Sequence, residues 1–148
     1  METIKKLDSN MEVFEEVFKR REKLDLFGTP FEILDISPEN LTSEIPVLIA
    51  PGWGETIDTF KDSIRVLYEN GRRVLCLNHP RKGDEMEKTH DALEVYGQEE
   101  EMRKALALIE VLNDKIGDKA DVIAHSEGGI NTAIAATLPL QWKVDIIK

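Results

Sequence analysis

Three short apolar runs constrain this chain more than anything else in it. They are "IPVLIA" at 45–50, "VLCL" within 72–80 and "ADVIA" at 120–124. Each has the length of one strand, and the first is a continuous apolar run rather than an alternating one. Unbroken apolar runs are what a strand needs when both faces of its sheet are covered. Each is followed by a turn or polar loop and then by residues of helical periodicity. Strands alternating with helices specify an α/β architecture: a mostly parallel sheet with helices on both faces, three layers deep. Crossovers in such a sheet are right-handed, and active sites gather at the carboxyl ends of its strands.

The remaining segments fill in that frame. Ile4, Leu7, Met11, Phe14 and Phe18 recur at steps of three and four, which predicts an N-terminal helix over 1–24 that "DLFGTP" at 25–30 breaks. "FEILDIS" at 31–37 alternates loosely and reads as a strand near the sheet edge, starting a core of 31–148. Ile57, Phe60, Ile64 and Leu67 stripe a helix that Gly71 ends. A long helix is expected from about residue 92 to 116, with a stripe of Met102, Leu106, Ile109, Leu112 and Ile116 and a cap at Gly117. A short helix follows over about 130–137, stopped by Pro139, and "WKVDIIK" at 142–148 begins one more strand. Nothing marks an internal linker, so 1–148 reads as a single domain.

Charge and composition exclude several functions. The net charge is −10, which disfavours both a nucleic-acid backbone and an anionic membrane surface as partner. No apolar run reaches the roughly 20 residues of a membrane span. The first residues, "METIKKLDSN", have no apolar signal core, and the lone cysteine, Cys76, has no partner for an intrachain disulfide. A cytoplasmic location is expected. No His/Cys/Asp cluster has metal-ligand spacing, and neither GxGxxG nor GxxxxGK[ST] follows "PGWGET", so no metal and no cofactor is expected.

The chemistry concentrates in "VIAHSEGG" at 122–129. A strand, then small-x-Ser-x-Gly, then a helix is the pattern of a nucleophile elbow, here Ala124-His125-Ser126-Glu127-Gly128. So tight a turn needs small residues two before and two after the serine, and Ala124 and Gly128 supply them. Ser126 then stands at the apex, and the N–H of Glu127, at the start of the next helix, is one candidate oxyanion donor. A second donor is expected from the loop after the 45–50 strand, where Gly52 and Gly54 flank Trp53; the backbone N–H of Trp53 is the candidate. Helix capping by Ser126 is the plainer alternative.

These three segments, in this order, resemble the N-terminal part of the α/β-hydrolase fold. "LIAPGWGETIDTF" resembles the family's His-Gly-x oxyanion segment, with Pro51 where histidine is usual. "RVLCLNHPRKGDE" resembles its Asp-x-Pro-Gly-x-Gly strand and loop. Asn78 stands in place of the aspartate, Arg81 replaces the first glycine, and Pro80 and Gly83 match. "VIAHSEGG" resembles the elbow. The resemblance covers roughly 31–148 and implies a serine hydrolase of esterase, lipase or thioesterase type acting on a small acyl substrate.

In that family an acid and then a histidine follow the serine. Only 22 residues follow Ser126, without a histidine, and beyond Glu127 their one carboxylate is Asp145. The resemblance therefore implies a fold cut near its sixth strand, with acid and base supplied by sequence missing here and this chain inactive alone. Among upstream histidines, His125 is expected to point away from the apex. His79 ends a strand two places from the elbow strand, about 10 Å off at ~4.8 Å per step. His90 lies deeper in a polar loop. A sheet cut there bares an apolar strand edge, so self-association is expected. The alternative function is a non-catalytic or degenerate hydrolase-fold module that binds rather than cleaves.

Overall fold

The computed structural model describes residues 11–26, 29–78 and 98–137. A helix over 11–18 (α1) leads into β1 (Glu22–Leu26) and β2 (Thr29–Ile36), then β3 (Val47–Ala50). A 3-10 turn at Ile57–Phe60 runs into α2 (Lys61–Glu69), followed by β4 (Val74–Asn78). α3 (Gln98–Val111) ends in a π-helical turn, Leu112–Ile116, and β5 (Asp121–Ala124) leads into α4 (Glu127–Thr137). The segment called the 142–148 strand, the loop at 81–91, His79, His90 and Asp145 lie outside the described residues.

The five strands form one sheet in the order β1-β2-β4-β3-β5. β3 pairs parallel with β4 and with β5, while β2 pairs antiparallel with β1 and with β4. The sheet is thus mixed. Its parallel part, β4-β3-β5, is the part whose carboxyl ends carry the candidate site.

The burial pattern shows why these residues fold this way. Successive side chains of a strand point to opposite faces. Val47, Ile49, Val74 and Cys76 pack on one face with Phe14 and Phe18 of α1 and Ile64 of α2. Leu48, Ala50, Leu75 and Leu77 pack on the other with Ala107, Leu108 and Val111 of α3. Unbroken apolar runs fit β3 and β4, which are covered on both faces; β5, expected to be covered likewise, is instead exposed along its length at the edge of the described sheet. α4 packs on α3 through Ala135 against Ala105 and Ile109.

Two expectations need correction. The N-terminal helix does not extend to residue 24: helix ends at Phe18, and 22–26 form β1, so the sheet begins before residue 31. The apolar stripe stops at Phe18, leaving the polar residues from Lys19 to Lys23 no helical face to bury. Leu24 and Leu26 then recur at the strand period of two, and Leu24 sits opposite Phe31 of β2. The stripe of α3 is also displaced. Leu106 is only partly buried, while Ala105, Ala107, Leu108 and Val111 are buried, because α3 faces the sheet and α4 at once.

Arg73 ties three elements together. Its Nε and Nη2 donate to the two carboxylate oxygens of Asp35 at 2.9 and 2.8 Å, and Nη2 also donates to the Lys115 carbonyl at 2.8 Å. Asp35 is in β2, and Lys115 ends the α3 segment. The Asp35 hydrogen bond raises the guanidinium pKa further, against a smaller lowering by burial.

Candidate active site

The ladder between β3 and β5 runs one residue past β5, where the His125 N–H donates to the Ala50 carbonyl at 3.1 Å. Helical bonding starts at once: Gly128 N–H donates to the His125 carbonyl and Gly129 N–H to the Ser126 carbonyl, both at 2.9 Å. The chain must pass from strand to helix within one residue, and that residue is Ser126. Its φ is 50°, and among the described residues it is the one non-glycine residue with positive φ. Such a conformation costs of order 1–3 kcal/mol and persists where its surroundings fix it; here hydrogen bonds hold the backbone on both sides. Ser126 is exposed, and among the described residues no group hydrogen-bonds its hydroxyl.

Gly128 is where the turn is crowded. A β-carbon there would lie 2.1 Å from the Ala50 carbonyl oxygen and 2.7 Å from that of Pro51. The nearest atoms are backbone at the end of β3; Ala124 itself is exposed. The helix also begins at Glu127, three residues before the expected 130. "GG" reads as turn punctuation in a sequence, yet here both glycines enter the helix because the close approach to β3 admits nothing larger at the first of them.

Beside the elbow lies the loop after β3. Gly52 to Glu55 form a turn closed by the Glu55 N–H donating to the Gly52 carbonyl at 3.2 Å. Gly54, third in the turn, has φ 73°, a conformation that glycine adopts without steric cost. The turn packs directly on the elbow: a β-carbon on Gly52 would stand 3.0 Å from the His125 carbonyl oxygen and 3.2 Å from Ser126 Cβ. Trp53 is 72% exposed, and among the described residues its N–H has no acceptor. The structure therefore brings together Gly52, Trp53, Gly54, Ala124, Ser126, Glu127 and Gly128 at the carboxyl ends of two neighbouring strands.

The contacts of three polar residues of this region escaped the sequence reading. Glu55 accepts the Gly52 N–H on Oε2 at 2.6 Å, while its Oε1 lies 2.8 Å from Nδ1 of His125. His125 thus turns to a carboxylate of the neighbouring loop. Asn78, at the end of β4, accepts the Ile57 N–H on Oδ1 at 3.1 Å and so fixes the start of the helical turn after that loop. Lys104 of α3, nearly buried, pairs with Glu127 Oε1 at 2.8 Å and anchors the first turn of α4. A lysine inside a long polar-and-apolar helix gives no sign in sequence that it faces inward. Glu55 could have been noticed, as a carboxylate three residues beyond a glycine whose amide needs an acceptor.

Among the described residues, no group of His, Cys, Asp and Glu could hold a metal ion. None of the helices among them is long and apolar enough to cross a membrane. Cys76 is buried mid-strand in β4, and burial drives its thiol pKa far up, so it is a core residue.

No protein-family model matches the sequence, and comparison with curated proteins returns no relative. Solved structures do match. Epoxide hydrolase A from Mycobacterium thermoresistibile superposes with a TM-score of 0.59 at 19% identity, over 79% of this chain and 34% of that one. An epoxide hydrolase from Vigna radiata gives 0.55 at 17%, over 78% and 34%. An alpha-beta serine hydrolase homologue from Coxiella burnetii gives 0.50 at 15%, over 79% and 57%. The chain spans about a third of the length of the two epoxide hydrolases. With the strand order, the sharp strand-to-helix turn and these superpositions, the chain is shown to have the α/β-hydrolase fold, over the part of that fold that the matched structures share with it.

Proposed function

We propose that this chain carries the nucleophile and the oxyanion loop of a serine acyl hydrolase. The observation that carries the proposal is the backbone of Ser126: positive φ, at a strand-to-helix junction, with the side chain exposed. Ser126 Oγ attacks the acyl carbonyl carbon, and the carbonyl electron pair moves onto oxygen. The N–H groups of Trp53 and Glu127 hold that oxyanion, assisted by the amino-terminal end of α4. The base takes the Ser126 hydroxyl proton and delivers it to the leaving group, collapse expels the alcohol, thiol or amine, and water, activated by the same base, then cleaves the acyl-serine. Esters, thioesters and small amides all fit this chemistry. The general base and its acid partner are assigned to sequence outside these 148 residues.

The epoxide chemistry for which two of the similar structures are named is not carried over to this chain. A serine opening an epoxide would form an alkyl ether, which has no carbonyl for water to attack, so turnover would stop at the enzyme-bound product. An acyl-serine has that carbonyl. The exposed apolar residues Val122 and Ile123 of β5, which lies at the edge of the described sheet, support self-association through that edge. A non-catalytic binding module is the second reading. It is favoured by one observation: among the described residues the sole histidine, His125, is engaged by Glu55.

The test is covalent labelling by a fluorophosphonate. In protein extended by the downstream sequence, labelling is expected at Ser126 and lost in Ser126→Ala. Equal labelling of the alanine variant would place the nucleophile elsewhere; absence of labelling in protein extended by the downstream sequence would favour the binding module.

A further inference from the structure

We infer that Glu55 is a positioning residue that locks the oxyanion loop onto the elbow and decides which loop amide remains available. The inference rests on the acyl-hydrolase reading of Ser126 and Trp53. Glu55 holds both backbone groups of Gly52: its carboxylate accepts the Gly52 N–H at 2.6 Å, and its own N–H donates to the Gly52 carbonyl at 3.2 Å. Its second carboxylate oxygen reaches Nδ1 of His125 at 2.8 Å, on the residue next to the nucleophile. One partly buried carboxylate therefore bridges two segments 70 positions apart (125 − 55).

The consequence for the site is specific. An N–H already bonded to a carboxylate is a poor donor to a developing oxyanion, and the carboxylate behind it opposes negative charge nearby. Glu55 removes Gly52 from candidacy and leaves the adjacent Trp53 N–H, which has no acceptor among the described residues. It also holds the turn in register with Ser126, whose Cβ would be 3.2 Å from a β-carbon at Gly52. A displacement of the turn by an ångström would misplace a donor whose effect depends on a separation of about 2.7–3.1 Å. Glu55 does not touch the reacting carbonyl in this account. It acts through the loop.

Two variants and two readouts test this. The amide proton of Gly52 is followed by ¹H–¹⁵N NMR in the 148-residue chain, and fluorophosphonate labelling of Ser126 is timed in protein extended by the downstream sequence to which the base is assigned. The short charge-assisted bond predicts a downfield Gly52 amide proton that moves upfield in Glu55→Ala. Labelling is expected to slow by about tenfold, since losing a whole oxyanion donor costs more, about 10²–10³. Glu55→Gln keeps an acceptor for the amide and is expected to restore labelling to within about threefold. That rescue separates positioning from general damage to folding, which the two spectra also reveal. An unmoved Gly52 amide in Glu55→Ala, or labelling as fast as wild type, overturns the inference. If Ser126→Ala labels as well as wild type while the Gly52 amide still shifts in Glu55→Ala, the catalytic reading has failed and the clamp stands.

Discussion

Gly128 lies so close to Ala50 that a β-carbon on it would stand 2.1 Å from the Ala50 carbonyl oxygen. The neighbour is backbone at the end of a central strand, so it cannot swing aside as a side chain would. Gly128→Ala is expected to lower stability by about 3 kcal/mol, the upper range for overpacking. Gly128→Val should lower it further. Urea denaturation of the two variants measures this. Gly129→Ala, one position on, where a β-carbon meets nothing within 4 Å, should be neutral or mildly stabilising.

The Arg73–Asp35 pair is bidentate and less than a third exposed on each side. Such geometry is stronger than an ordinary surface ion pair. A double-mutant cycle on Arg73→Ala and Asp35→Ala should return a coupling of about 1–2 kcal/mol. Arg73→Lys should recover less than half of it, because a point charge cannot reproduce the planar fork.

Cys76 gives a pH signature. Burial raises its thiol pKa in the folded state well above the ordinary value. Below about pH 8.5 both states are protonated and the cysteine adds no pH dependence. Above it the unfolded chain ionises while the folded one does not. Stability is then lost as pH rises, by up to about 1.4 kcal/mol per unit from this one group. Comparing denaturation from pH 7 to 10 for wild type and Cys76→Ala isolates the effect. The gap between them should narrow with rising pH, and a thiol reagent should reach Cys76 only on unfolding.

At β5 the exposed residues are Val122 and Ile123. Sedimentation of the 148-residue chain should show concentration-dependent association, reduced by Ile123→Lys, since a charge on an edge strand opposes pairing with a second edge. Unchanged association would move the interface off β5.

The parallel strands were legible in sequence because β3 and β4 are covered on both faces, which makes "VLIA" and "VLCLN" almost wholly apolar. The sharp strand-to-helix turn at Ser126 was legible because so tight a turn restricts residue types at fixed spacing. β1 was not: five residues with two leucines carry little periodicity, and its pairing with β2 is a long-range outcome. The contacts of Glu55, Asn78 and Lys104 were hidden for a related reason. Each is a side chain whose partner lies 3 to 70 positions away, brought near only by the fold. At Gly128, expected to be small from the turn pattern, the nearest atoms to a β-carbon belong to the backbone of Ala50 and Pro51, a contact with no sign in the local sequence.

The central claim is that Ser126 and two peptide N–H groups converge on one carbonyl. Its most direct measurement is the crystal structure of a fluorophosphonate adduct. The phosphorus should be bonded to Ser126 Oγ, with the phosphoryl oxygen about 2.7–3.1 Å from both the Trp53 and the Glu127 nitrogen. An adduct on another residue, or a phosphoryl oxygen turned to solvent away from both nitrogens, would contradict it.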